Sequence, residues 1–441
     1  MHRRKCEVNR SAAFEVKGWC PGALRPMQSG DGLIVRIRPQ SATFNTKDLV
    51  VLADAARRFG SGHIDLTRRA NLQIRGISEA SLPQLHSVIA GMGLLDDSPD
   101  GEAVRNVMIN PLSGIDPTEV LDVRSVGREL ARLLGFEKDV WALPSKFGFF
   151  VDGGGALSLA GQRADIRLVA IALGSEAAFA FGIETKIGLE WLGSISPGGA
   201  ASAAIEASLA FIDVASREKR QRMRDLSDQG LAFVRSAMRS RLNTLHDKPP
   251  KADASLNRRI GLIELDAGRF AVGIAMPFGR VEADQLRNVC GAMATHGVEE
   301  IRLSPWRALY AEAPSEQSGQ SILDAAARDG LITDPRDPLL QIEACPGAPG
   351  CPSTTLDTRG DGRRLAELLL QFRFAGSVHI SGCAKGCAKS GRTDLVLVGS
   401  EGRYGVVRDG TAQDLPARHG SFAELAADPG KIFDMGRGLP V

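Results

Sequence analysis

The sequence predicts an α+β fold in which one half-domain occurs twice, with mixed α/β insertions. Three observations carry that prediction. Hydrophobic periodicity near the N-terminus spells strand, helix, strand, strand, helix. The same hydrophobic register returns at a constant shift of 237 residues. The stretches between and after the two copies mix strand and helix patterns.

In the first copy, Gly32–Arg38 alternates, with Leu33, Val35 and Ile37 apolar, and reads as a strand. Thr46 is the expected N-cap of a helix that carries Leu49, Leu52, Ala53, Ala56 and Phe59 at helical spacing and stops at Gly60. His63–Thr67 and Asn71–Arg75 read as the next two strands, and Ser81–Gly91 as a second helix. In the second copy, Phe270, Val272 and Ile274 take the places of Leu33, Val35 and Ile37, and Gly297 falls on Gly60. Ile301–Ser304 matches Ile64–Thr67, and Leu309 lands on Leu72. The agreement is gap-free over about 45 residues, the signature of an internal duplication. This element order resembles half of a split βαβ, ferredoxin-like unit, so the prediction is a pair of ferredoxin-like half-domains.

Residues 105–173 place strands at Phe147–Val151 and Arg167–Leu173, with a helix from Thr118 to Leu134. Residues 200–242 read as one or two long helices whose charge run, Arg217 to Arg222, is a solvated face. Asp247–Ala254, with its paired prolines, reads as a linker. A helix near Ser321–Asp329 and a Pro-rich turn at 334–338 precede a cysteine-bearing segment. The expected domains are therefore 1–95, 96–247, 248–335 and 336–441.

Lys and Arg number 54 against 52 Asp and Glu, a net charge of +2. That balance argues against a general nucleic-acid or membrane-surface binder. No apolar run approaches the roughly 20 residues that span a bilayer. The basic start, Met1–Lys5, has no apolar stretch behind it and does not read as a secretory signal, so a cytoplasmic protein is expected.

Seven cysteines, an odd number, do not read as a disulfide framework. Four follow the pattern Cys345-x5-Cys351-x31-Cys383-x3-Cys387. Four thiolates at this spacing fit a [4Fe–4S] cluster, with zinc and unrelated buried thiols as the other readings. The five-residue gap is wider than zinc pairs usually show, and the neighbouring Pro346–Gly350 and Ser381–Gly382 are small, so backbone N–H groups can approach sulfur. Cys6 and Cys20 have no such company and read as bystanders; Cys290 falls on an apolar helix face and reads as core. His379 alternates with Val378 and Ile380 and reads as a structural strand residue.

With these motifs, the chain resembles the sirohaem-dependent nitrite and sulfite reductase family over nearly its whole length. The resemblance rests on the cysteine pattern, the duplication, Leu66–Gly76 with its Thr-x-Arg-x-x-x-Gln stretch, Arg105–Val107 and Leu143–Phe147. Gly18–Met27, Arg69–Gly76, Ala344–Pro349 and Ser381–Ala388 look like the branch of that family that oxidises precorrin-3A in aerobic cobalamin synthesis. Two departures separate the chain from the reductases: Gly148 stands where they carry a second lysine, and Ala384–Lys385 where they often carry Pro-Asn. The resemblance implies that 96–247 is the family's first α/β domain and that 336–441 holds the cluster on Cys345, Cys351, Cys383 and Cys387.

The implied activity is an O2-dependent hydroxylation of precorrin-3A with lactone formation; the alternative is a sirohaem-dependent sulfite or nitrite reductase. Either needs a site for a polyanionic tetrapyrrole, and arginine forks suit carboxylates. Arg69, Arg105 and Lys146 are the expected catalytic residues, with Arg25, Asn71 and Gln73 as cofactor-binding residues. Arg36, Arg38, Arg68, Arg75, Arg302 and Arg307 are further candidates, converging from strand ends or solvated. The resemblance also implies a second iron centre, either mononuclear non-haem iron or sirohaem with Cys387 as bridging thiolate. No dinucleotide-binding glycine pattern follows a strand, so NADH electrons are expected through a separate reductase.

Overall fold

The computed structural model describes residues 19–249, 259–266 and 268–433; Cys6 and the 250–254 part of the expected linker lie outside the described residues. The described chain forms two compact units, 20–340 and 341–433, the latter with Trp19.

The first copy runs β1 (Met27–Ser29), β2 (Gly32–Ile37), β3 (Thr43–Asn45), α1 (Thr46–Phe59), β4 (His63–Leu66), β5 (Leu72–Ile77) and α2 (Leu82–Gly91). Asn45, not Thr46, caps α1: its side chain accepts from the Lys47 N–H. The Thr46 hydroxyl instead donates to the Val298 carbonyl at 2.8 Å, across to the second copy. Gly60 ends α1 as expected.

An α/β segment follows: α3 (Pro99–Val104), β6 (Val107–Ile109), α4 (Arg124–Phe136), β7 (Phe149–Asp152), β8 (Ile166–Leu173), β9 (Glu176–Thr185), β10 (Gly188–Ile195), α5 (Pro197–Glu218) and α6 (Asp228–Met238). Its sheet has the order β10-β9-β8-β7-β6, with β6, β7 and β8 parallel and the rest antiparallel. The helix expected from Thr118 begins only at Arg124. Asp116 and Asp122 accept from the backbone N–H groups two residues on, and these local turns hold the chain out of the helix. The sequence pattern missed the β9–β10 hairpin because β9 is buried almost end to end, which erases the two-residue alternation. α5 has 22 residues and is apolar enough by length and composition to cross a membrane, contrary to the expectation that no run approaches that length. Most of it is buried, with Ala203, Ala207 and Phe211 in the core shared with α4 and the sheet.

The second copy comprises β11 (Gly261–Asp266), β12 (Arg269–Ala275), β13 (Arg280–Glu282), α7 (Ala283–Thr295), β14 (Glu300–Leu303), β15 (Ala308–Ala313) and α8 (Glu316–Arg328). Duplication at a shift of 237 is borne out element by element, down to matching left-handed residues Ser41 and Phe278, and Ala70 and Arg307. The copies exchange a strand. β13 completes the first sheet against β4, and β3 completes the second against β14. One core between the sheets buries Val35, Ile37, Leu49 and Ile74 with their counterparts Val272, Ile274, Leu286 and Ala311.

The other unit holds β16 (Ile342–Ala344), α9 (Thr358–Gln371), β17 (Val378–Ser381), β18 (Thr393–Ser400), β19 (Arg403–Gly410), β20 (Arg418–Gly420), α10 (Phe422–Ala427) and α11 (Gly430–Phe433). Its sheet, β16-β17-β18-β19-β20, repeats the topology of β6 to β10: three parallel strands, then two antiparallel ones, with a helix between the first two. The α/β domain is therefore duplicated as well.

Candidate functional site

Within residues 20–340, the two ferredoxin-like sheets differ on the face turned away from their common core. On β12, β14 and β15 that face carries Ala271, Ala275, Ala308 and Tyr310, sealed by Met108, Leu112, Phe150 and Leu157. On β2, β4 and β5 it carries Arg36, Arg38, Asp65, Gln73 and Arg75, and cross-strand pairing sets Arg36 beside Gln73 and Gln73 beside Asp65. The shift of 237 places Gly273, Ala275 and Tyr310 where the first copy has Arg36, Arg38 and Gln73. One face is packing surface; the other carries arginines.

Some of these arginines serve the fold. Arg38 pairs with Glu102 at 2.6 Å, both nearly inaccessible. Arg75 forks onto Asp31 at 2.7 and 2.8 Å. Arg302 donates to the Pro111 carbonyl and pairs with Glu300, and Arg307 donates to the Phe278 carbonyl. Arg36 remains on the face; burial and the nearby Arg38 bring its guanidinium down to about 10.

The expected site residues divide by role. Arg69, in the turn between β4 and β5, donates to the Ser145 and Lys146 carbonyls at 3.3 and 2.6 Å. Lys146 itself is exposed, and among the described residues its ammonium has no carboxylate partner. Gln73 lies on the arginine face. Asn71 is buried and closes the β4–β5 turn, its N–H on the Thr67 hydroxyl at 3.2 Å. Arg25 is exposed, its carbonyl accepting from Gly22 at 3.0 Å. Arg105 is bound to Asp96 at 2.7 and 3.0 Å and donates to the Arg38 carbonyl. With Arg38, Asp96, Glu102, Arg128 and Phe136 it lines a cleft of about 590 Å³.

Sequence reasoning set Cys20 aside. The structure places it against Arg36, Arg69 and Ser145: burial would raise the thiol, but the two guanidiniums and the hydrogen bonds of Ser145 and Arg36 carry it below the usual thiol value. It lies within the Gly18–Met27 stretch, but its neighbours come from β2, the β4–β5 turn and residue 145, so the cysteine spacing does not reveal its surroundings. Cys290, as expected, is buried on α7, and burial pushes its thiol up to about 12.

Within residues 341–433, the four clustered cysteines follow the C-terminal ends of parallel neighbours β16 and β17. Cys345 is buried just after β16, its N–H donating to the Ile380 carbonyl at 3.1 Å, and its sulfur accepts from the Gly382 N–H at 3.2 Å. In the first α/β domain Asn110 stands in that place and accepts from the Gly153 N–H at 2.9 Å. Burial raises the Cys383 thiol and pushes Cys387 up to about 11, with the other thiols of the set adding to both. Thiols that raise one another in this way call for positive charge between them once they ionise. Among the described residues no group of three or more His, Cys, Asp or Glu side chains is arranged to hold a single metal ion. With the five-residue gap between Cys345 and Cys351 and the Gly382 N–H on the Cys345 sulfur, the donor set fits a cluster, in which each thiolate takes its own iron. A Cβ on Gly382 would lie 2.5 Å from Thr354, so glycine keeps the loop close. His379 is buried in β17, in line with a structural role.

The ferredoxin-like half domain of nitrite and sulfite reductases matches residues 25–91 and 263–311, and their 4Fe-4S domain matches residues 100–229. The latter stretch contains none of the cysteines; they lie in the topological copy of that domain. A precorrin-3B synthase of Sinorhizobium is 32% identical over 91% of this chain and 85% of its own length. A ferredoxin–nitrite reductase of Leptolyngbya laminosa is 24% identical over 92% of this chain and 84% of its own. The Mycobacterium tuberculosis NirA structure shares the fold, with a TM-score of 0.71 at 20% identity over 90% of this chain and 79% of its own. The matched half domain and 4Fe-4S domain together with the 32% identical relative place the chain: it belongs to the nitrite and sulfite reductase family, on the branch of precorrin-3B synthase.

Proposed function

We propose that the chain is a monooxygenase of the precorrin-3B synthase type. It hydroxylates precorrin-3A at the carbon between rings A and D, and the ring A acetate closes to a lactone. One atom of O2 enters the product and the other leaves as water, with two electrons drawn from NADH through a separate reductase.

The observation that carries this reading is the arginine-bearing face of the first sheet, where Arg36 and Gln73 are paired across β2 and β5 and stay half-buried. In the second copy Gly273 and Tyr310 stand in place of Arg36 and Gln73 on a face packed with alanine and tyrosine, so a sheet of this kind does not require those two side chains. Arg36 offers a planar guanidinium to the carboxylates that rim the macrocycle, Arg69 adds positive charge while its nitrogens hold the Ser145 and Lys146 carbonyls, and Lys146 adds an exposed ammonium beside them. Gln73 contributes an amide on the same face. At Gly148 a Cβ would meet nothing nearer than the Asn106 carbonyl at 3.8 Å, so the backbone does not demand glycine there. Leaving out the reductases' second lysine removes a small-anion contact and makes room for a larger substrate.

Cys345, Cys351, Cys383 and Cys387 would hold the [4Fe–4S] cluster, which supplies the single electrons that triplet O2 requires. No described residues form a donor set for a mononuclear iron, and none is assigned to one. Anaerobic purification, iron counting, acid–acetone extraction and turnover of precorrin-3A under O2 test the reading. The expected outcome is about four cluster irons, no extractable sirohaem and a product heavier by one oxygen atom. Extractable sirohaem together with sulfite turnover would overturn it.

A further inference from the structure

Lys146 rides on Ser145–Gly148, a segment between a short helical turn and β7. All four of its carbonyls are taken. Arg69 holds those of Ser145 and Lys146. Asn106 Nδ2 donates to Ser145 and Phe147 at 3.1 Å each, and to Ala103 at 3.0 Å. The Asp165 N–H donates to the Gly148 carbonyl at 2.8 Å. The Phe147 ring is buried against Phe211 at 4.6 Å, so its neighbour Lys146 is turned the other way, into the open.

Asp165 does more than cap a loop. It is 1% exposed, yet its carboxylate carries five hydrogen bonds. Oδ2 accepts the Gly148 N–H at 3.0 Å and Arg222 Nη2 at 2.8 Å; Oδ1 accepts the Met223 N–H at 2.9 Å; and Arg222 Nε reaches both oxygens. One buried charge thus ties the lysine segment to the turn between α5 and α6, and its field also supports the Arg69 cation. Neither Asp165 nor Asn106 projects an unused polar hydrogen toward a ligand.

We propose that Asp165 and Asn106 are positioning residues for Lys146: they fix the Ser145–Gly148 backbone so that the ammonium meets a tetrapyrrole carboxylate without a further ordering cost on binding. This rests on the reading of Lys146 as a substrate contact, and the test separates the two.

The test is a double-mutant cycle on the full-length protein, purified anaerobically. Uroporphyrin III, a stable polycarboxylate tetrapyrrole, is titrated into the wild type, Lys146→Ala, Asp165→Asn and the double variant, with binding followed by porphyrin fluorescence. Lys146→Ala and Asp165→Asn are each expected to weaken binding about tenfold, and the double variant to bind no more weakly than Lys146→Ala alone. Multiplying losses would show that Asp165 acts independently of Lys146 and would overturn the proposal, as would an unchanged affinity for Asp165→Asn. An unchanged affinity for Lys146→Ala would locate the failure in the substrate-contact reading, and the proposal falls with it. If circular dichroism shows Asp165→Asn unfolded, the same cycle with the uncharged exchange Asn106→Ser decides by the same criteria.

Discussion

The Gly382 N–H donates to the Cys345 sulfur at 3.2 Å, in the place where the Gly153 N–H donates to Asn110 Oδ1 at 2.9 Å in the first α/β domain. The same strand-end geometry thus presents a sulfur in one copy and an amide in the other. Gly382→Ala would drive a Cβ to 2.5 Å from Thr354 and move the loop that carries Cys383. Iron content and visible absorbance of the purified protein are expected to fall. Gly391→Ala, where a Cβ meets nothing within 4 Å, is expected to leave both unchanged.

Cys20 should react as a thiolate at lower pH than an ordinary cysteine. Burial opposes this, but Arg36 and Arg69 outweigh it. A lowered thiol stabilises the fold fully above the unfolded thiol value, and that contribution is lost as pH falls through the folded value. Iodoacetamide labelling of Cys20, followed by peptide mass spectrometry, is expected to persist below the pH at which ordinary thiols stop reacting. Arg36→Gln should move the profile back up.

Glu102 is 1% exposed and serves two masters: Arg38 at 2.6 Å, and the Ala23 and Leu24 N–H groups at 2.6 and 3.1 Å. Glu102→Ala strands a buried guanidinium. A loss of about 3–5 kcal/mol is expected from urea unfolding, large enough to show as a lower midpoint with little change in slope. Replacement of the exposed Glu129 should cost less than about 1 kcal/mol.

Arg280 on the exchanged strand β13 forks onto Asp65 at 2.7 and 3.0 Å. Asp65→Ala removes these bonds and the 3.6 Å pair with Arg75. The expected cost is about 1.5–3 kcal/mol. Hydrogen exchange should quicken along β13 and β4 before it does along β12 and β15.

The half-domain repeat was legible because its evidence is local. Each strand and helix announces itself through its own periodicity, and a constant shift needs no partner to be seen. The cysteine spacing was legible for the same reason. Thr46 misled because Asn45, one residue earlier, supplies the capping oxygen. The strand exchange was invisible: β3 and β13 are three residues each, too short for a pattern, and their partners are far along the chain. The site face could have been glimpsed by laying Arg36, Arg38 and Gln73 over Gly273, Ala275 and Tyr310, but the sequence does not say which face a covering domain seals.

Sequence pattern alone was enough for the α+β class, the duplication, the cluster-type cysteine set and the family resemblance. Tertiary structure decided which arginines pair with Glu102, Asp31 or Glu300, that Cys20 lies against Arg36 and Arg69, and that Lys146 is gripped through its backbone. The physical reason is range. Periodicity and capping act within a few residues, whereas a charge's partner is chosen by chain folding, and Asp65 finds Arg280 only after the two copies have traded strands.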